Sequence, residues 1–205
     1  MKCILKQFPV WLFALALTIG GAAPAFAQAK DSKAAKAADQ TAKPLGKPDV
    51  IFVPTPQEAV DKMLQMAEVK SGDIVYDLGC GDGRIVVTAA KKYGVKAIGV
   101  DIDPQRIKES NENVRTNGVA KLVTIKNDNI FEMDFSEATV VTLYLLPELN
   151  VKLMPKLAKL KPGTRIVSHD FDMRGAKPKE VVHGDFGRGY ESTLYKWVVP
   201  WEPEK

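Results

Sequence analysis

Val75-Tyr76-Asp77-Leu78-Gly79-Cys80-Gly81-Asp82-Gly83-Arg84 decides how this chain folds. Ile74, Val75 and Tyr76 favour a strand, and they follow the turn-forming Ser71-Gly72-Asp73. Three glycines at alternate positions then break the strand. Beyond Arg84, the run Ile85-Val86-Val87-Thr88-Ala89-Ala90 leads to Tyr93-Gly94 and reads as a helix. Strand, glycine turn and helix together form the entry to a nucleotide-type pocket. Glycine admits positive φ and lets a ligand approach the backbone, while the helix start offers unpaired N–H groups.

The spacing narrows the ligand. A dinucleotide fingerprint runs G-x-G-x-x-G, whereas this turn runs G-x-G-x-G with Asp77 two residues before the first glycine. A carboxylate there repels a pyrophosphate but can hold an ammonium. A second strand, 97–102, carries another acid, Asp101, 24 residues after Asp77. At that distance a strand-end carboxylate accepts the hydroxyls of a ribose. S-adenosylmethionine, with an ammonium, a ribose and no phosphate, is the expected ligand.

Outward from this core, the chain divides by composition. Residues 1–27 read as a secretory signal: Lys2 and Lys6, an apolar run from Val10 to Ile19, then Ala25-Phe26-Ala27 before Gln28. The run is shorter than the roughly 20 residues of a spanning helix, so the expectation is export, to a periplasm or beyond. An uncleaved membrane anchor is the alternative; after cleavage no stable span is expected. Residues 28–49, rich in Ala, Lys and Asp, read as a disordered linker. From position 50 onward there are 22 basic and 22 acidic residues, which argues against a broad nucleic-acid footprint. Residues 50–205 suffice for one domain. Cleavage would leave Cys80 as the one cysteine, a small residue in the turn rather than a nucleophile, with no intrachain disulfide. Nothing in the sequence clusters Cys and His as metal ligands, and none is expected.

Taken in order, Thr55-Pro56-Gln57-Glu58 reads as a capping box opening an amphipathic helix, and Phe52-Val53-Pro54-Thr55 is placed to lie over the pocket mouth. After the second strand, Asp103-Pro104 starts a helix that stops at Asn117-Gly118. Strands are expected at 122–126, 139–146 and 164–170, with a helix from Pro147 kinked by Pro155. The runs 180–183 and 193–199 flank a glycine-rich tip and read as an antiparallel hairpin. The fold class is therefore α/β: a doubly wound, Rossmann-like, mostly parallel seven-stranded sheet with an antiparallel C-terminal hairpin. Ligands belong at the carboxyl ends of its strands, where Asp128 is placed to meet an adenine amino group.

Asp77-Leu-Gly-Cys-Gly-Asp-Gly-Arg resembles the first motif of the class I, seven-strand S-adenosylmethionine-dependent methyltransferases, over roughly residues 50–200. With Phe52-Val-Pro-Thr-Pro and Gly81-Asp-Gly-Arg-Ile-Val it is most similar to a small protein-lysine methyltransferase family with mitochondrial and bacterial members. The resemblance implies Asp77, Gly79, Gly81 and Asp82 around the methionine part, Asp101 on the ribose, and Asp128 with Asn129 near the adenine. Thr55, Cys80, Gly83 and Ile102 complete the expected cofactor contacts. Two features depart from the superfamily pattern: no long helix fits between the fifth and sixth strands, and the fourth strand ends Leu143-Tyr144-Leu145-Leu146-Pro147-Glu148, without an Asn-Pro-Pro-Tyr-type motif.

The expected reaction is direct in-line methyl transfer to a protein lysine or a small molecule. The catalytic candidates are Tyr144, Glu148, His169 and Asp170, at the ends of the fourth and fifth strands, where a side chain could orient or deprotonate an amine. An exported, non-catalytic module that binds an adenosyl ligand is a competing reading. A nicotinamide dehydrogenase is a third, disfavoured by the glycine spacing and the hairpin.

Overall fold

The computed structural model describes residues 45–47 and 51–204. The signal expected at 1–27, and the linker apart from 45–47, lie outside the described residues. Four helices and seven strands follow in the order α1 (Gln57–Met66), β1 (Ile74–Leu78), α2 (Arg84–Tyr93), β2 (Lys96–Asp101), α3 (Pro104–Thr116), β3 (Val123–Asn127), β4 (Val140–Leu143), α4 (Pro147–Leu157), β5 (Arg165–His169), β6 (Glu180–Gly184) and β7 (Ser192–Val198). They build one sheet in the order β3-β2-β1-β4-β5-β7-β6. Strands β1 to β5 run parallel, while β7 is antiparallel to both β5 and β6. Among the described residues, no helix is long and apolar enough to cross a membrane.

Both faces of the sheet are covered, so the central strands are mostly apolar. Alternation sends Val75 to the face covered by α1 and α2, with Val60, Met63, Leu64, Ile85 and Val86. Tyr76 and Leu78 go to the other face, against Leu153 and Leu157 of α4 and against Met133 and Phe135. The last two lie in the β3–β4 crossover, which covers the sheet with loop and turn instead of a helix.

Sequence expectation and structure part at two places. The Thr55–Glu58 capping box does not form: Pro56 is the N-cap, with no side-chain cap bond, and the Thr55 hydroxyl lies 3.4 Å from His169 Nδ1. The long apolar strand 139–146 stops at Leu143. Its neighbour β1 ends at Leu78, paired to Leu143, and the chain then turns away at Gly79, so Tyr144 onward has no ladder on that side. Pro155 lies within α4, two residues from its end, where it deprives only Val151 of an intrahelical donor. The β5–β6 connection has no helix, as expected; its Ala176 carbonyl accepts the Trp197 indole N–H at 2.8 Å.

Candidate active site

A cleft enclosing about 980 Å³, part of it open solvent, lies at the carboxyl ends of β1, β2 and β4. Its floor is the glycine turn at Gly79, Cys80 and Asp82, whereas Gly81 is covered by Phe52 and is outside the lining. Gly79 and Gly81 take φ of +84° and +55°, and the N–H groups of Gly79 and Cys80 both donate to the Val100 carbonyl. A Cβ on Gly79 would stand 2.8 Å from Leu145 Cδ2. Gly83 lies outside the cleft lining: it caps α2 and brings it against Ser110 of α3, where a Cβ would meet the Ser110 Cβ at 2.9 Å. Cys80 lines the floor, and burial pushes its thiol well up, which keeps it an unreactive neutral group.

Asp77 is buried at the cleft base, and its side chain accepts one hydrogen bond, from the Thr142 hydroxyl at 2.8 Å. Register places Thr142 there, directly opposite on β4. Burial pushes the Asp77 carboxyl up to about 7, and the charges of Asp101 and Asp82 add to the rise. The group is poised to ionise when a cation arrives. Asp101, one strand over, accepts Gly81 N–H at 2.8 Å and Asp103 N–H at 2.9 Å, one on each carboxylate oxygen. It thus holds the glycine turn in shape while facing the cleft, and burial raises its pKa. Ile102, Asp128 and Asn129 form the next part of the wall, with Ile130 and Phe131. Asp128 N–H donates to the Asp101 carbonyl, and Asn129 N–H to Asp128 Oδ1 at 2.7 Å.

The segment 51–55 lies across the mouth as a strap. Phe52 presses on Gly81, whose Cβ would come within 2.1 Å of the ring, and Arg106 lies 4.7 Å over the ring centroid. Arg84 ties strap to turn: one terminal nitrogen donates to the Thr55 carbonyl at 2.8 Å, while the others grip Asp82 at 2.5–3.1 Å. Asp82 lines the cleft with its carboxylate already engaged by Arg84.

The four catalytic candidates separate. Tyr144 lines the cleft, and its hydroxyl reaches Asp170 Oδ2 at 3.3 Å. Asp170 has φ +59°, and Phe171 N–H donates to the His169 carbonyl at 2.7 Å across it, a strained γ-turn of the positive-φ kind. Asn150 of α4 holds that turn by donating to the carbonyls of Phe171 and Asp172. His169 is fully buried behind Tyr144, ring centroids 4.2 Å apart, with Nε2 3.3 Å from the Ser192 hydroxyl. Burial pushes it down to about 4 against the opposing pull of Asp170, so it is neutral, a poor base, and off the cleft wall. Glu148 is exposed, 3.7 Å from Arg174, and away from the cleft.

Sequence reasoning passed over Arg84, Arg106, Phe131, Leu145 and Arg188. Arg84 closed the quoted motif and its position carried the signal. Leu145 directly follows β4, in the quoted stretch 143–148, while Arg106, Phe131 and Arg188 come from a helix, a crossover and a distant hairpin with no local pattern to mark them.

Residues 77–180 match the ANTKMT methyltransferase domain family. A protein-lysine N-methyltransferase of Saccharolobus islandicus is 53% identical over 154 residues, spanning 74% of this chain and 95% of its own length. A Salinibacter ruber crystal structure, described as an RNA methyltransferase in complex with S-adenosyl-L-homocysteine, superposes with a TM-score of 0.68 at 49% identity, covering 72% of this chain and 94% of the other. The crystal structure of TrmN from Thermus thermophilus, at 18% identity and a TM-score of 0.59 over 67% of this chain and 47% of the other, shares the fold alone. Sheet order, glycine turn and these likenesses agree: the chain belongs to the ANTKMT methyltransferase family.

Proposed function

We propose that this protein transfers a methyl group from S-adenosylmethionine to the side-chain amine of a protein lysine. The observation that carries the reading is the buried Asp77 carboxylate, held by a single hydroxyl beside the glycine turn, with a second acid, Asp101, on the neighbouring strand end. These residues fit the donor. Asp77 takes its ammonium, Asp101 keeps lone pairs free for ribose hydroxyls, and Asp128 with Asn129, Ile102 and Phe131 surrounds the adenine. Bound there, the donor would supply an electrophilic methyl carbon, and an amine that has first lost a proton to solvent forms the C–N bond with its lone pair as the C–S electron pair goes to sulfur.

The chain's own task is alignment and exclusion of water, worth on the order of 7–11 kcal/mol when geometry is well set. The strap, latched by Arg84, shuts out water at the mouth. Tyr144 lines the cleft and its hydroxyl meets Asp170, so an acceptor amine reaches the donor beside the Tyr144 ring. Asp170 balances the ammonium's charge until the proton leaves. His169 backs Tyr144, and Thr55 joins it to the strap.

The lysine acceptor is supported by the Saccharolobus islandicus relative. RNA is the second reading, favoured by the description of the Salinibacter ruber structure; the even charge balance from residue 50 onward weighs against it. Incubation of the full chain with labelled S-adenosylmethionine and separate protein and RNA pools tests both. Label on protein lysine supports the proposal, label on RNA alone replaces it, and cofactor binding without label favours a binding module. The leader-type residues 1–27 support an exported domain, for which a mature N-terminus at Gln28 is the expected measurement.

A further inference from the structure

We propose that Asp170 and Tyr144 form the seat of the acceptor's ammonium, and that Arg188 is a resident cation in that seat which the substrate displaces. The inference rests on the lysine reading and deepens it.

Arg188 comes from the tip between β6 and β7, and its side chain is 12% exposed. Its guanidinium lies 5.4 Å over the Tyr144 ring and 3.7 Å from Asp170 Oδ2. A carboxylate and an aromatic face are the two groups that stabilise an alkylammonium. Here both are turned towards a cation of the chain itself. The same Tyr144 ring forms the cleft wall, so a cation in this seat is one side chain away from the donor.

Arg188 meets the seat through a side-chain hydrogen bond with Tyr144 and, more loosely, through Asp170. At 3.7 Å its contact with Asp170 is an ion pair without a hydrogen bond. Its short bond is to the Tyr190 hydroxyl, at 2.6 Å, on the same tip; Tyr190 also offers its ring at 5.6 Å. Its one bond to the strap, to the Pro54 carbonyl, measures 3.3 Å. The tip is internally tied: Asp185 Oδ1 accepts the N–H groups of Gly187, Arg188 and Gly189. The tip is also held to the core by Phe186, so in this proposal the Arg188 side chain swings towards Tyr190 while the tip backbone and the seat stay in place. Asp170 remains anchored by Thr193 N–H at 3.1 Å, and its turn by Asn150.

The test is binding of n-butylammonium, a stand-in for a lysine side chain, to the full-length protein saturated with S-adenosyl-L-homocysteine. Arg188→Ala and Arg188→Met, the latter keeping an apolar stem over Tyr144, should bind it at least tenfold more tightly than wild type. Adding Asp170→Asn should remove the gain. Equal affinity in wild type and both variants overturns the proposal, as does a gain that survives Asp170→Asn. Failure of both Arg188 variants to fold overturns it too, because the arginine is then a structural tie. The two readings fail separately. Tight butylammonium binding in Arg188→Ala, without methyl transfer to any protein, keeps the seat and ends the lysine proposal. Lysine methylation without the affinity gain does the reverse.

Discussion

The Thr142 hydroxyl donates to Asp77 at 2.8 Å, and that bond is the polar support of a carboxylate otherwise surrounded by the sheet and the glycine turn. Because burial holds the group up to about 7, it carries a proton below that pH, which an ammonium-bearing ligand must displace. Affinity for S-adenosylmethionine should therefore climb by about tenfold per pH unit below 7 and level off above it. Thr142→Val withdraws the bond that favours the ionised form, so the plateau should begin at a higher pH. Calorimetric titration at several pH values measures both; a flat wild-type profile counts against Asp77 as the ammonium partner.

The stability of the ligand-free protein should respond to two groups of opposite sign. Asp77 is raised from 3.8 to about 7, so its contribution is full below the unfolded value and is lost as pH rises through 7. His169 is lowered from 6.5 to about 4, so its contribution is full above 6.5 and is lost as pH falls through 4. The full shifts amount to roughly 4 kcal/mol for Asp77 and roughly 3 kcal/mol for His169, and between 4 and 6.5 they oppose one another. Wild type should be comparatively flat there, whereas Asp77→Asn should gain stability steadily with pH. Denaturant melts across that window decide it, and parallel profiles would remove the pair from the account.

Gly81 and Phe52 should be energetically coupled. A side chain on Gly81 runs into the Phe52 ring before it reaches the cleft, on top of the strain at φ +55°. Gly81→Ala should weaken cofactor binding at least tenfold, and Phe52→Ala in the same chain should return part of the loss. A double-mutant cycle is expected to show about 1–2 kcal/mol of coupling; additive losses would mean that the strap does not rest on the turn during binding.

Asp101→Ala and Glu148→Ala should behave as opposites. The first removes the acceptor of the Gly81 and Asp103 N–H groups as well as the cleft carboxylate. It should cost at least tenfold in cofactor affinity and about 1–3 kcal/mol of stability. The second alters an exposed side chain beside Arg174 and should leave cofactor affinity and turnover within twofold of wild type. A large loss of turnover in Glu148→Ala would return that residue to the site.

The sequence by itself determined the sheet, its glycine turn and the acids at the ends of β1 and β2, because strand patterning, glycine spacing and chain order act over short stretches. It also carried the absence of a β5–β6 helix and the terminal hairpin. Only the tertiary structure decided how the side chains are shared. Thr55 turns to His169 instead of capping α1, His169 sinks behind Tyr144, and Arg188 arrives from a hairpin 44 residues beyond Tyr144. Each outcome is a competition between partners distant in the chain, settled by distance and burial, and no local pattern of residues encodes the winner.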